Sequence, residues 1–345
     1  MKRALITGIT GQDGAYLTRL LLADGYEVFG AIRRTASINT WRLADLGVDK
    51  DVRFRDFDLM EFSNVLRLIE QVKPDEVYNL AAQSFVATSF EQPIYTGQAN
   101  GIGVTMILEA IRTVGAGRDI RFYQASTSEM FGKVREVPQS ETTPFHPRSP
   151  YGVAKLYGHW ITVNYRESWG MHASAGILFN HESPLRGTEF VTRKITLGLA
   201  RIKCGLAGEL RLGNLDARRD WGFAGDYVDG IRRMVRQPTA DDYVLATGET
   251  HTVQDFVDQA ARALGFDLAW TGEGKDKAGI DRKSGKTIVV VDPAFFRPAE
   301  VDQLQGNPAK ATARLGWQRQ MSFARLVEEM ATKDLERLQS GSLRY

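Results

Sequence analysis

The chain has 345 residues, 43% hydrophobic and 25% charged, which suits one large domain or two smaller ones of an ordinary globular protein. Its 44 Lys and Arg nearly balance its 42 Asp and Glu, for a net charge of +2, so nothing global points to nucleic acid or to an anionic membrane surface. A single cysteine, Cys204, rules out an internal disulfide, and the five histidines (His146, His159, His172, His181, His251) show no metal-ligand spacing, so a cytoplasmic compartment and no metal are expected.

Met1 to Thr7 opens with a basic pair and an apolar stretch. Gly8 and Asp13 interrupt it before a signal-peptide core could be complete, so it reads as a first buried strand. No apolar run approaches the roughly 20 residues needed to cross a bilayer. Strands are predicted at Ala4–Thr7, Glu27–Ile32, Val52–Phe57, Glu76–Leu80, Arg121–Ala125 and Ala173–Phe179. Amphipathic segments at Gly14–Asp24, Glu61–Gln71 and Gly103–Val114 lie between several of them. This alternation predicts an α/β fold, a doubly wound parallel sheet with helices on both faces. Beyond about residue 180 the pattern loosens. Helices at Arg193–Cys204 and Thr252–Leu264 belong to a smaller carboxy-terminal substrate-binding part, which is expected to send one strand, Tyr243–Ala246, back to the main sheet. Glu273–Thr287 is rich in Gly, Lys and Asp and reads as an exposed loop. The expected organisation is a cofactor domain over residues 1–180, with returning segments from about 213–248, and a mainly substrate-binding part over 181–345.

The run Gly8-Ile9-Thr10-Gly11-Gln12-Asp13-Gly14 follows the first strand and opens the first helix. Glycine there lets the backbone turn tightly and approach a pyrophosphate, whose charge the helix N-terminus favours. An ordinary strand-to-helix turn would use glycine too, and position at the first strand is what favours the cofactor reading. Where an NAD site presents a carboxylate to the ribose, at the end of the second strand, this chain has Arg33-Arg34. Two guanidiniums suit a 2′-phosphate, so the expected cofactor is NADP; a solvated basic pair is the plain alternative. Asp58 and Leu59 after the third strand can hold the adenine edge. Leu80-Ala81-Ala82-Gln83-Ser84 after the fourth lets the cofactor pass close to backbone.

Tyr151 and Lys155 stand one helical turn apart, so both side chains reach one face of a helix. An ammonium beside a phenol is expected to lower the phenol's pKa toward the working range of a general base. Ala125-Ser126-Thr127-Ser128-Glu129 ends the fifth strand at the carboxyl edge of the sheet, where open α/β folds bind ligands. Thr127 can bond the sugar hydroxyl that Tyr151 deprotonates. Glu129 can take a carbon-bound proton beside a new ketone and then give it to a departing hydroxyl, which needs a pKa nearer neutrality than a free Glu has. The plain alternative is a carboxylate that stabilises a helix N-terminus. Glu129 is the residue that separates a dehydratase from a simple dehydrogenase.

With these segments in place, the chain resembles the extended short-chain dehydrogenase/reductases, whose core is Rossmann-type, and within them the GDP-mannose 4,6-dehydratase family. Besides the glycine turn, the matching runs are Tyr123-Gln124-Ala125-Ser126-Thr127-Ser128-Glu129, Arg148-Ser149-Pro150-Tyr151-Gly152, Leu178-Phe179-Asn180-His181-Glu182-Ser183-Pro184, Phe190-Val191-Thr192-Arg193-Lys194, Arg219-Asp220-Trp221-Gly222 and Phe296-Arg297-Pro298-Ala299-Glu300-Val301-Asp302. They run nearly end to end. The resemblance implies that Thr127, Glu129, Tyr151 and Lys155 are catalytic. It implies NADP contacts from Gly8, Ile9, Thr10, Gly11, Gln12, Asp13, Gly14, Arg33, Arg34, Asp58, Leu59, Leu80, Ala81, Ala82, Gln83, Ser84, Tyr95, Tyr151, Lys155, His181 and Arg186. Asn180, Val191, Lys194, Arg219, Arg297 and Glu300 would hold the sugar nucleotide. The chemistry agrees, since Lys194, Arg219 and Arg297 are cations fit for a diphosphate and Glu300 can accept from a ribose hydroxyl, although each alone reads as a surface charge.

By the same resemblance the protein is a hydro-lyase of nucleotide-sugar metabolism, cytoplasmic and homo-oligomeric as a dimer or tetramer. Its partner is a GDP-sugar, with no nucleic acid or membrane. Thr35–Val52, which in that family helps build the tetramer and reaches a neighbouring cofactor, is shorter here than in many members. Three other readings stand beside this one: a dehydratase of another GDP-sugar such as GDP-heptose, a nucleotide-sugar epimerase or 4-keto reductase, and a non-catalytic NADP-binding protein.

Overall fold

A computed structural model describes residues 1–37, 39–114, 118–296 and 303–343. Its first half alternates strand and helix. Strands β1 (Arg3–Thr7), β2 (Glu27–Ile32), β3 (Val52–Asp56), β4 (Glu76–Asn79), β5 (Arg121–Thr127) and β6 (Ala173–Leu178) are joined across α1 (Gln12–Ala23), α2 (Trp41–Asp45), α3 (Phe62–Val72), α4 (Val86–Glu91), α5 (Pro93–Gly97), α6 (Gly103–Val114) and α7 (Pro150–Trp169). The second half holds β7 (Asn180–Glu182), α8 (Val191–Lys203), β8 (Leu210–Leu212), β9 (Arg218–Arg219), β10 (Trp221–Phe223), α9 (Ala224–Val235), β11 (Asp242–Leu245), β12 (His251–Thr252) and α10 (Val253–Ala263). After these come β13 (Leu268–Thr271), β14 (Ala278–Asp281), β15 (Thr287–Val291), α11 (Ala309–Leu315) and α12 (Phe323–Gln339).

Seven of the strands form one sheet in the order β11-β6-β5-β4-β1-β2-β3, all parallel. This is the expected doubly wound arrangement, with the returning strand at one edge. Its central strands are covered on both faces, which is why Ala4, Leu5 and Ile6 run apolar without alternation. β3, at the other edge, puts Arg53 and Arg55 outward and so blunts its open ladder. The predicted strands agree with those observed to within two residues at each end. Leu5, Phe29, Val77 and Phe122 pack with α3 and α6 on one face of the sheet, while Ile6, Tyr78 and Tyr123 pack with α1 and α9 on the other.

Of the 213–248 stretch, only α9 and β11 join this sheet, whereas β9 pairs antiparallel with β12 and β10 pairs parallel with β7. Ala311, Leu315 and Trp317, far down the chain, also enter the core of the main sheet. A separate four-stranded sheet, β13-β14-β15-β8, packs with α8, α10 and α12 around Trp221, Phe256, Val257 and Met330. Glu273–Thr287 is not a plain loop. It contains β14, the strand between β13 and β15. The loop-like composition comes from the turns that bracket that short strand: Gly272, Gly274 and Gly285 have positive φ, and Asp281 accepts from the Ser284 hydroxyl at 2.7 Å. Among the described residues no helix is long and apolar enough to cross a membrane.

Candidate active site

The sheet delivers its carboxyl ends to one place, and a buried polar ladder fixes them there. The Thr7 hydroxyl donates to Asn79 Oδ1 at 2.7 Å, Asn79 Nδ2 donates to Gln124 Oε1 at 2.8 Å, and Gln124 Nε2 donates to the Ala125 carbonyl at 3.1 Å. Each buried group thereby finds a partner, and the ends of β1, β4 and β5 are held in one register. Lys155 Nζ closes the ladder, donating to the same Ala125 carbonyl at 2.9 Å.

Ser149 starts α7. Its side chain accepts from Gly152 N at 3.0 Å, and Pro150 takes the first helical position, where it needs no donor. Tyr151 and Lys155 therefore lie in the first two turns, both buried on the face toward β5. Two close approaches allow no larger residue: a Cβ at Gly152 would meet the Glu129 carbonyl at 2.9 Å, and one at Gly158 would meet the Asn100 carbonyl at 2.9 Å. Thr127 accepts from Glu129 N at 3.2 Å and opens the short helical turn Ser128–Met130. The Thr127 hydroxyl hydrogen-bonds the Tyr151 phenol and the Glu129 charge is felt there, with the Glu129 backbone against the start of α7 beside Tyr151.

The phenol's acidity differs from expectation. Burial pushes Tyr151 up to about 12, against the pull of its hydrogen bond with Thr127 and with the Glu129 charge adding to the rise. Lys155 donates to the Ala125 carbonyl, with its Nζ 5.9 Å from the centroid of the Tyr151 ring. Burial pushes the Lys155 ammonium down to about 8, opposed by the Asp13 carboxylate.

The glycine turn fits a dinucleotide. Gly8 has φ +68°, and a Cβ there would lie 2.8 Å from Ala81 N and from the Leu80 carbonyl carbon, so β1 and β4 approach backbone to backbone. Gly11 caps α1 with no side-chain bond, which leaves the first N–H groups of the helix open to an anion. Arg33 and Arg34 are exposed just past β2; Arg33 Nη1 donates to the Tyr95 hydroxyl at 3.4 Å, and Arg34 lies 4.0 Å from Asp56. Asp58 is exposed and accepts from Met60 N at 2.9 Å, whereas Leu59 packs on Gly103. The Ala81–Ser84 segment is pinned by a residue that sequence reasoning missed: Asn100, buried in a π-turn over Gln98–Ile102, bonds Gln83 N and Gln83 O, each at 2.8 Å. A π-turn at a site is a structural signal with no sequence trace here.

Gln12 and Asp13 turn inward. Gln12 Nε2 donates to the His181 carbonyl at 3.0 Å and its Oε1 accepts from Ser183 at 2.7 Å. Asp13 faces His181 Nε2 at 2.8 Å, while His181 Nδ1 faces the Phe179 carbonyl at 2.7 Å. Both ring nitrogens thus meet acceptors, so both carry protons. Burial lowers the histidine's pKa, but Asp13 more than offsets it and raises the net value; burial raises that of Asp13, but His181 and Arg186 bring it down. Arg186 Nε lies 3.1 Å from buried Glu182, with its guanidinium over Phe190 at 3.6 Å.

Among the predicted substrate residues, β7 and β10 pair Asn180 with Trp221, which brings Arg219 to the same edge. Val191 is exposed at the start of α8, and Lys194 lies over Phe295 at 3.3 Å, its pKa lowered by burial. Arg297 and Glu300 fall outside the described residues. Beside Arg219, the buried Asp220 carboxylate accepts from Thr247 N, Thr247 Oγ1, Gly248 N and Gly306 N at 2.7–3.3 Å, tying this edge to the chain that follows Glu300.

A parallel sheet that presents a glycine turn, a Thr/Glu pair and a Tyr/Lys pair at its carboxyl edge defines a nucleotide-binding α/β enzyme of the dehydrogenase/reductase type. Two solved structures share the fold: a dTDP-glucose 4,6-dehydratase from Streptomyces venezuelae (TM-score 0.80, 24% identity, 98% of each chain covered) and RMD from Pseudomonas aeruginosa (TM-score 0.76, 22% identity, 98% of this chain and 100% of that one). The family model for GDP-mannose 4,6 dehydratase matches residues 5–330. A GDP-mannose 4,6-dehydratase of Vibrio cholerae serotype O1 is 52% identical, covering 99% of this chain and 96% of its own length, and one from Homo sapiens is 47% identical over 98% and 92%. The chain belongs to the GDP-mannose 4,6-dehydratase family.

Proposed function

We propose that the protein converts GDP-mannose to GDP-4-dehydro-6-deoxy-mannose and water, by internal redox on a tightly held nicotinamide cofactor. The observation that carries this reading is Glu129 next to Thr127 at the end of β5, bonded to it through its backbone N–H and with its charge felt at the Tyr151 phenol, because a dehydrogenase or epimerase needs no carboxyl at that point. NADP is favoured over NAD by the exposed guanidiniums of Arg33 and Arg34 past β2, where an NAD site carries an acid. The RMD structure was solved with NADPH and the Streptomyces one with NAD.

The glycine turn Gly8–Gly14, with Arg33 and Arg34, would hold the nicotinamide dinucleotide, which would supply a hydride acceptor for C4 and a hydride donor for C6. The protein's own groups handle protons and position. Thr127 orients the C4 hydroxyl, and Tyr151, once ionised to the phenolate, takes its proton. The buried Lys155 ammonium supplies positive charge beside that step, fixed in place by the Ala125 carbonyl. Glu129 takes the C5 proton, made acidic by the C4 ketone, and delivers a proton to the C6 hydroxyl as it leaves as water; when hydride returns to C6, the proton that Tyr151 took from the C4 hydroxyl goes to C5, which restores the phenolate. Lys194 and Arg219 hold the diphosphate, and Arg297 and Glu300 are assigned to the nucleotide. The cofactor domain spans 1–180 with α9, β11 and α11 added, and the rest is mainly substrate-binding.

The enzyme works in the cytoplasm as a homo-oligomer. Val153, Tyr157 and Trp160 are exposed on the outer face of α7, and Ile102 beside α6, which supports burial of this face in an assembly. The reaction is tested by incubating purified protein with GDP-mannose and no added cofactor. A nucleotide product lighter by one water is expected; unchanged mass, with or without added NADP, overturns the reading.

A further inference from the structure

Three consecutive carbonyls, those of Pro184, Leu185 and Arg186, accept from three arginines that are far apart in sequence. Arg193 Nη1 donates to Pro184 O and Arg186 O, each at 2.9 Å. Arg337 Nη1, from α12, donates to Pro184 O at 2.5 Å. Arg42 Nε, from α2, donates to Leu185 O at 2.7 Å.

Arg42 differs from the other two in what its second arm reaches. Its Nη1 donates to the carbonyl of Thr10, inside the glycine turn, at 3.2 Å. One guanidinium therefore bridges the turn that opens α1 and the turn that leads from His181 to Arg186. The fork of donors is rigid, so the two carbonyls cannot drift apart without losing a bond. Its root is also fixed: the Arg42 guanidinium lies 4.6 Å from the centroid of the buried Trp41 ring, and Arg337 both approaches that ring at 5.5 Å and bonds Asp45 at 3.0 Å. The α2 segment is thus fastened to α12 on one side and spans the two turns on the other.

We propose that Arg42 is a positioning residue that locks the glycine turn and the 183–186 turn into one register, and so sets the width of the cofactor's cradle without touching the substrate. The effect on cofactor rests on the proposed function; the coupling of the two turns does not.

The test uses R42Q, with R42K as the second variant because lysine keeps the charge and lacks the fork. In cofactor-free protein, amide hydrogen exchange of residues 8–14 and 183–190 is expected to quicken about tenfold in both segments of R42Q, the scale of a lost charge-assisted bond, with R42K showing the same pattern. The NADP⁺ Kd should rise about tenfold in both variants, while KM for GDP-mannose stays and kcat recovers under excess NADP⁺. Unchanged exchange in either segment, or a KM shift without a Kd shift, overturns the proposal. If the unmutated protein binds neither NADP⁺ nor NAD⁺ while both segments still loosen in R42Q, the cofactor reading fails and the coupling stands.

Discussion

In the main sheet most neighbouring strands are consecutive in the chain, the exceptions being β1 beside β4 and β6 beside β11, and Leu5, Val77, Phe122 and Ile177 are buried with almost no exposed area. In the carboxy-terminal part, β8 pairs with β15 some 77 residues later, and α8 is joined to α12 by Arg193 and Asp334, fully buried, with Nη2 2.7 Å from Oδ1. The first region is held by continuous apolar packing that tolerates small changes. The second has an apolar core around Trp221, Phe256, Val257 and Met330 but adds buried ionic links across long sequence separations, such as Arg193 with Asp334, which strand a buried charge if one partner goes. The groups proposed to be catalytic stand on the first region, and the residues proposed for the sugar nucleotide stand mostly on the second.

That contrast predicts where a substitution costs rate and where it costs stability. The largest effect is expected for Glu129→Gln, which should lower turnover by about 10²–10⁴-fold while thermal unfolding and cofactor binding stay near those of the unmutated protein. A fall in melting temperature comparable to the loss of rate would break the separation of chemistry from packing. Next comes Asp334→Ala, which strands Arg193 and is expected to cost about 3–5 kcal/mol in urea unfolding. Ile6→Val in the main sheet should cost only about 0.5–1.5 kcal/mol. Equal losses from the two would erase the difference between the regions.

The smallest effect concerns pH. Lys155 loses its proton near pH 8 in the folded protein, well below its ordinary value, so its favourable contribution to stability is present above the unfolded pKa and is lost as pH falls through about 8. Lys155→Met should accordingly gain stability over the unmutated protein at pH 7, and the gap should narrow between pH 8 and 10. Turnover of the unmutated enzyme should fall as pH rises through about 8, as the ammonium is lost. A flat rate from pH 7 to 9.5 would show that the charge is not needed.

The sequence made legible what local chemistry determines. The glycine turn at Gly8 was readable from its place after the first strand, and the strand positions and the parallel, doubly wound sheet followed from alternation. It also placed Thr127, Glu129, Tyr151 and Lys155 on one edge, because strand ends and helix starts are local features. The phenol's acidity was not legible, since it depends on burial and on Lys155 bonding Ala125, neither of which spacing reveals. Asn100, Asp220 and Arg42 were missed for one reason: each acts through hydrogen bonds to backbone far away in sequence, and no periodicity records those. The β14 strand was hidden because its flanking turns dominate the composition of a short segment.

The claim at the centre of this account is that one hydride leaves the sugar at C4 and comes back to it at C6 within a single closed site. GDP-mannose carrying deuterium at C4, turned over in ordinary water with excess unlabelled NADP present, tests this directly by NMR of the product. The account predicts deuterium retained at C6. Deuterium lost to free cofactor or to water would contradict it.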